Sequence, residues 1–90
     1  MYVLFKAIFI KDFRYLPIAI KEEARKFCEK NVPEARDLRS ISGYDIKPLR
    51  GYKNYYRVKF DNYRIGFKKD GNTIIFMRIL DRKDIYRHFP

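Results

Sequence analysis

The stretch that most constrains the fold runs from Leu49 to Lys68, LRGYKNYYRVKFDNYRIGFK. It holds two runs in which apolar and basic residues alternate, joined at Asp61-Asn62. Alternation with period two marks a half-buried strand, because successive side chains point to opposite faces. Asp-Asn tolerates the positive φ that a two-residue hairpin turn needs. Pairing residues symmetrically about that junction sets Phe60 against Tyr63, Val58 against Ile65 and Tyr56 against Phe67, which makes one apolar face. On the other face Lys59 sits opposite Arg64, and Arg57 opposite Gly66.

That second face asks for a reason beyond stability. Like charges directly opposite on a sheet are unfavourable by roughly 0.2–1 kcal/mol per pair. Gly66 weakens a strand but lets another molecule approach the backbone. A solvated face explains any single Lys or Arg, whereas three cations around a glycine point to a phosphate-binding surface. The charge balance agrees: 21 Lys and Arg stand against 11 Asp and Glu, a formal net charge of +10. Self-repulsion on that scale opposes compaction, so a polyanionic partner is expected: nucleic acid, an acidic protein, or both. A membrane surface is disfavoured, because no expected helix joins a large apolar face to a clustered basic one.

The 90 residues predict a single domain, 1–90, and 8 Phe with 8 Tyr are enough for one small core. The lone cysteine, Cys28, permits no intrachain disulfide and suits a reducing cytoplasm. The opening MYVLFKAIFI is too short to span a bilayer and lacks the small-residue cleavage site of a signal peptide. One His, one Cys and scattered carboxylates offer no metal-ligand spacing, so neither metal nor cofactor is expected.

In chain order, Tyr2 to Ile8 predicts a strand. Phe9 to Leu16 predicts a short helix, with Phe9, Phe13 and Leu16 at helical spacing. Pro17 suits the first turn of a second helix reaching about Asn31, with Ile20, Ala24, Phe27 and Cys28 as its apolar stripe. Pro33 to Ser42 predicts a helical scrap or an irregular loop, and Gly43 and Pro48 punctuate the approach to the hairpin. Asp70-Gly71 is a strong turn signal, followed by a strand from Thr73 to Leu80. Its apolar residues on both faces suggest a central, covered position. Asp81 is expected to cap a last helix from Arg82 to about His88. There Arg82 and Tyr86 would share a face, with Arg82 at the positive end. The fold class is therefore α+β: a small antiparallel sheet, an N-terminal helical hairpin on one face, and a short C-terminal helix.

KDFRYLP after the first strand, PLRG before the hairpin, YYRVKFDNYRIGFK in it and DRKDIYRH at the end together resemble toxins of the RelE/ParE superfamily. The similarity covers essentially the whole chain in the right order. It implies the toxin of a toxin–antitoxin pair, in the RelE-like branch that cleaves mRNA, commonly in the ribosomal A site, without metal. It also implies an antitoxin that wraps around the fold. Another branch poisons DNA gyrase instead, and a basic module with a decayed site is a third reading.

Metal-free RNA cleavage uses attack of the 2′-hydroxyl on the adjacent phosphate, which needs orientation, charge stabilisation and two proton transfers. Arg57 and Arg64 are the expected phosphate clamps, because the guanidinium fork holds two oxygens. Arg57 occupies a position where RelE-type nucleases can carry Lys, and Arg works poorly as a base. Lys59 is then the expected proton handler, if crowding by Arg57 and Arg64 tunes it. The resemblance assigns Arg82 to the scissile phosphate or leaving group, with Arg78 as its rival. It assigns Tyr86 to base stacking or proton transfer, and His88 is the acid–base alternative. Arg50, Lys53, Tyr55, Lys68 and Arg78 are expected to contribute RNA contacts.

Overall fold

The structure, a computed structural model, describes residues 1–90. Strands β1 (Tyr2–Phe5), β2 (Ile46–Pro48), β3 (Tyr55–Phe60), β4 (Tyr63–Asp70) and β5 (Thr73–Asp81) form one five-stranded sheet in the order β1-β5-β4-β3-β2. Helices α1 (Ala7–Phe13) and α2 (Ile18–Lys26) follow β1. A π-helical turn (Phe27–Asn31) continues α2 into the short α3 (Val32–Glu34), and α4 (Ile85–His88) closes the chain. No helix is long and apolar enough to cross a membrane.

The central hairpin has the expected register: Tyr56 pairs with Phe67, Arg57 with Gly66, Val58 with Ile65, Lys59 with Arg64 and Phe60 with Tyr63. Its turn places Asp61 at φ 53°, the positive value the tight reversal demands. The inner face carries Val58, Phe60, Ile65, Phe67, Ile74, Phe76 and Ile79, all buried. Helical residues Phe9, Ile20, Ala24 and Phe27 complete that core, and Phe27 meets Phe60 and Phe76 edge-on.

Several expectations change. The sheet is antiparallel from β2 to β5, but β1 joins β5 in parallel, Tyr2 opposite Thr73 through Phe5 opposite Phe76. β1 stops at Phe5 rather than Ile8 because the chain turns into α1 at Ala7, and Lys6 still donates its N–H to the Phe76 carbonyl. The second helix does not run regularly to Asn31. Pro33 has no N–H for the helical ladder and crowds the preceding turn, and the chain widens to π geometry just before it. The strand β2 was not foreseen. The last helix starts at Ile85, not Arg82: β5 pairs as far as Asp81 with Tyr63, and the Arg82 N–H still donates to the Asn62 carbonyl at 2.8 Å. Asp81 therefore ends a strand and its carboxylate accepts from the Lys83 N–H at 2.8 Å, so it does not cap a helix. Arg82 and Tyr86 share no helix face.

Candidate functional site

The outer face of the sheet is open except where α4 and the tail after it fold back. Between that tail, β2 with the turn after it, and β3 lies a cleft of ≈ 610 Å³. Lys47, Arg50, Arg57 and Arg87 line it with Tyr52 and Tyr86, and no Asp or Glu is among its ten lining residues. Like-signed charge in a concave, partly desolvated wall focuses the field on an anion. Tyr52 and Tyr86 are 53% and 55% exposed, large aromatic surfaces free to stack.

Arg57 is held in place. Its Nη1 donates to the Asp45 carbonyl at 3.0 Å and lies 3.4 Å from the Asp45 carboxylate, and its side chain is 15% exposed. A guanidinium carries five N–H donors, so this anchorage leaves others for a ligand. Lys47 is its cross-strand partner on β2, which brings two cations side by side. Aromatic packing continues behind the cleft: Tyr55 meets Phe89 edge-on at 5.8 Å and Tyr52 at 6.3 Å, and the Lys68 ammonium sits 5.5 Å above the Tyr55 ring.

The glycine opposite Arg57 does not serve as expected. Gly66 is buried, and a Cβ there would stand 2.5 Å from ring atoms of Phe89. Its close neighbour is the protein's own tail, so a nucleotide does not reach this backbone while Phe89 is seated.

Other expected residues are dispersed. Arg64 folds back on the hairpin turn, its Nη1 donating to the carbonyls of Asp61 at 2.8 Å and Tyr63 at 3.0 Å. Arg57 thus turns to Asp45 and Arg64 to the turn carbonyls, while Lys59 stays opposite Arg64 in the hairpin register. Arg82 is exposed beside the same turn, held through its backbone by Asn62. Arg78 is committed elsewhere: its Nε and Nη2 donate to the Asp12 carboxylate at 2.8 and 3.1 Å, on the side of β5 where α1 packs. Lys53 is exposed in the turn before β3, and His88 is exposed on α4 without lining the cleft. So Arg50, Arg57 and Tyr86 line one cleft, with Tyr55 and Lys68 beside it. Lys59, Arg64 and Arg82 gather at the hairpin tip instead.

Lys47, Tyr52, Arg87 and Phe89 were missed. A three-residue strand ending in Pro48 leaves no periodicity to detect, which hid Lys47. The run Tyr86-Arg87-His88-Phe89, with aromatic and basic residues interleaved, was the signal available for the tail. Burial pushes up the ionisation of two groups, and both lie away from the cleft. They are the Cys28 thiol, with Glu29 adding to the effect, and the Tyr44 hydroxyl, with Glu23 and Cys28 adding. A second hollow, of ≈ 270 Å³, lies among Phe5, Phe9, Ile10 and Phe13. Its Arg25 and Glu29 pair with each other at 3.9 Å, so it offers no free convergent charge.

Residues 3–86 match the family model of the ParE toxin of the type II toxin–antitoxin system parDE. The chain is 44% identical, over 92 aligned residues and the full length of both proteins, to Toxin RelE3 of Methanocaldococcus jannaschii. The chain belongs to the RelE/ParE superfamily of toxins. Among solved structures, the RelB-RelE antitoxin–toxin complex from Methanococcus jannaschii superposes with a TM-score of 0.79 at 40% identity, over 97% of this chain and 99% of that one. The isolated E. coli RelE toxin superposes with a TM-score of 0.67 over 89% of this chain and 82% of that one. At 17% identity that likeness speaks for the RelE-like fold, which α4 completes on the outer face.

Proposed function

We propose that this toxin is an mRNA-cleaving endoribonuclease acting in the ribosome, and that the cleft beneath α4 is where RNA is held. The carrying observation is that Lys47, Arg50, Arg57 and Arg87 converge with two exposed tyrosines and no lining Asp or Glu. In this reading Arg57, oriented by Asp45, clamps the scissile phosphate, and Arg87 and Lys47 share its developing charge. Tyr86 or Tyr52 stacks on a base and turns the 2′-hydroxyl in line with the phosphorus. The O2′–P bond forms as the P–O5′ bond breaks; one proton leaves the 2′-hydroxyl and another reaches the 5′-oxygen. In this reading the Tyr86 hydroxyl, on the cleft wall, relays a proton, and His88 is its neighbour on α4. The hairpin-tip cations Lys59, Arg64 and Arg82 hold the strand further along.

The RelB-RelE neighbours support a cognate antitoxin for this chain too. The exposed apolar residues Tyr2, Leu4, Ile8, Ile10, Tyr15 and Ile18 along β1, α1 and the start of α2 suit such a partner.

Ribosomes programmed with a defined message and given the purified toxin test the reading. Discrete cuts leaving 2′,3′-cyclic phosphate and 5′-hydroxyl ends are expected, because those ends record attack by the neighbouring hydroxyl. Intact message with the ribosomes saturated would refute it. The ParE family match favours a second reading, gyrase inhibition, and loss of supercoiling with RNA intact would establish that one instead.

A further inference from the structure

Three of the four glycines, Gly43, Gly51 and Gly71, have positive φ and open space where a Cβ would go, so the backbone explains them. Gly66 differs on both counts. Its φ lies outside the left-handed region, and the space beside it is filled by Phe89, with Cγ, Cδ2 and Cε2 all 2.5–2.6 Å from an ideal Cβ. What the site requires is room. Phe89 is 3% exposed, and Tyr55 closes on its ring edge-on.

Phe89 and Ile85 are buried, yet neither belongs to the 14-residue core cluster under the helices. They attach α4 to the outer face on their own. Four helical residues with no side-chain cap have no stability in isolation, so tertiary anchorage decides whether α4 is formed. Tyr86 and Arg87, both lining the cleft, lie between the two anchors.

We propose that Phe89 is a positioning residue: its ring, seated on Gly66, holds Tyr86 and Arg87 over the cleft. The proposal rests on the RNA-binding reading of that cleft, and it concerns groups that act through others rather than on the substrate. A methyl group at position 66 lifts the ring, frees the tail and leaves the main core intact.

The test compares wild type with Gly66→Ala, Phe89→Leu and the double variant. Amide hydrogen exchange of residues 85–89 reads the seat, and exchange of the β3–β4 amides reads the fold. Binding of a short 2′-O-methyl RNA, which cannot be cleaved, reads the cleft. Gly66→Ala is expected to speed exchange in the tail alone and to weaken RNA binding about tenfold, as when the competent fraction falls to about a tenth. Phe89→Leu in that background, a smaller group over the added methyl, is expected to restore both. Tyr86→Ala added to Gly66→Ala should cost less than it does in wild type, because the tyrosine is already displaced. Unchanged tail exchange in Gly66→Ala, or full additivity with Tyr86→Ala, overturns the proposal. Should Gly66→Ala unfold, Phe89→Leu alone decides by the same tail exchange. A wild type that binds no RNA while tail exchange responds as described overturns the reading of the cleft and upholds the seat.

Discussion

Arg57 is the residue on which the chemistry leans most, because its position is fixed before any ligand arrives. Removing one preorganised donor to a developing oxyanion typically lowers turnover about 10²-fold or more, so Arg57→Ala should lose about that much RNA cleavage while unfolding normally in urea. Asp45→Ala should lose less and lose it through orientation, since the charge stays but its carbonyl-and-carboxylate anchorage is halved. Cys28 makes a separate prediction about pH. Its thiol is buried and its ionisation is raised, so the folded state favours the neutral form. The stability from that preference is fully present below the ordinary thiol value and is lost as pH rises above about 8.5, at roughly 1.4 kcal/mol per unit. Urea unfolding from pH 7 to pH 10 should therefore fall more steeply for wild type than for Cys28→Ala. The basic identity of this surface could be read from the chain, and so could Arg50, Arg57 and Tyr86. What could not be read was the direction each guanidinium takes, because alternation assigns a face and says nothing of which acceptor waits there. Arg64 and Arg78 share the charge of Arg57 and end on turn carbonyls and on Asp12 instead.

Among the elements, β5 shows how an unpaired edge is closed. β1 pairs only as far as Phe76, and beyond it the Asp12 carboxylate from α1 takes the Ile79 N–H at 3.2 Å as well as both Arg78 nitrogens. Asp12→Ala orphans a backbone donor and a half-buried guanidinium together, and should destabilise the fold by about 2–3 kcal/mol in urea melts. The hairpin turn makes the opposite prediction. Asp61 has φ 53°, so Asp61→Gly should raise stability by about 0.5–1 kcal/mol. β3 and β4 were legible because their alternation is long and their turn is marked. The parallel docking of β1, the existence of β2 and the start of α4 were not. Each depends on a pairing distant in sequence, such as Tyr63 with Asp81, that no local pattern records.

For the whole molecule, a net charge of +10 is divided by the fold into a basic outer face and a helical face carrying the apolar hollow. If Lys47, Arg50, Arg57 and Arg87 each neutralise a phosphate, the salt dependence of single-stranded RNA binding should have a log–log slope of about −3. Lys47→Gln or Arg87→Gln should each reduce that slope by about 0.7, and Arg25→Gln, on α2, should not change it. The α+β class and the superfamily were within reach of the sequence, since composition, order and length all agree. The cleft was not, because it exists only once the tail folds back on Gly66. Cleavage by the cleft residues is tested most directly by the ends of RNA recovered from programmed ribosomes exposed to wild type, Arg57→Ala, Arg87→Ala and Arg25→Ala. Ends with 2′,3′-cyclic phosphate are expected with wild type and Arg25→Ala, and about 10²-fold fewer with the two cleft variants. Cuts of undiminished frequency in Arg57→Ala and Arg87→Ala, or no cuts by the wild type, would contradict that expectation.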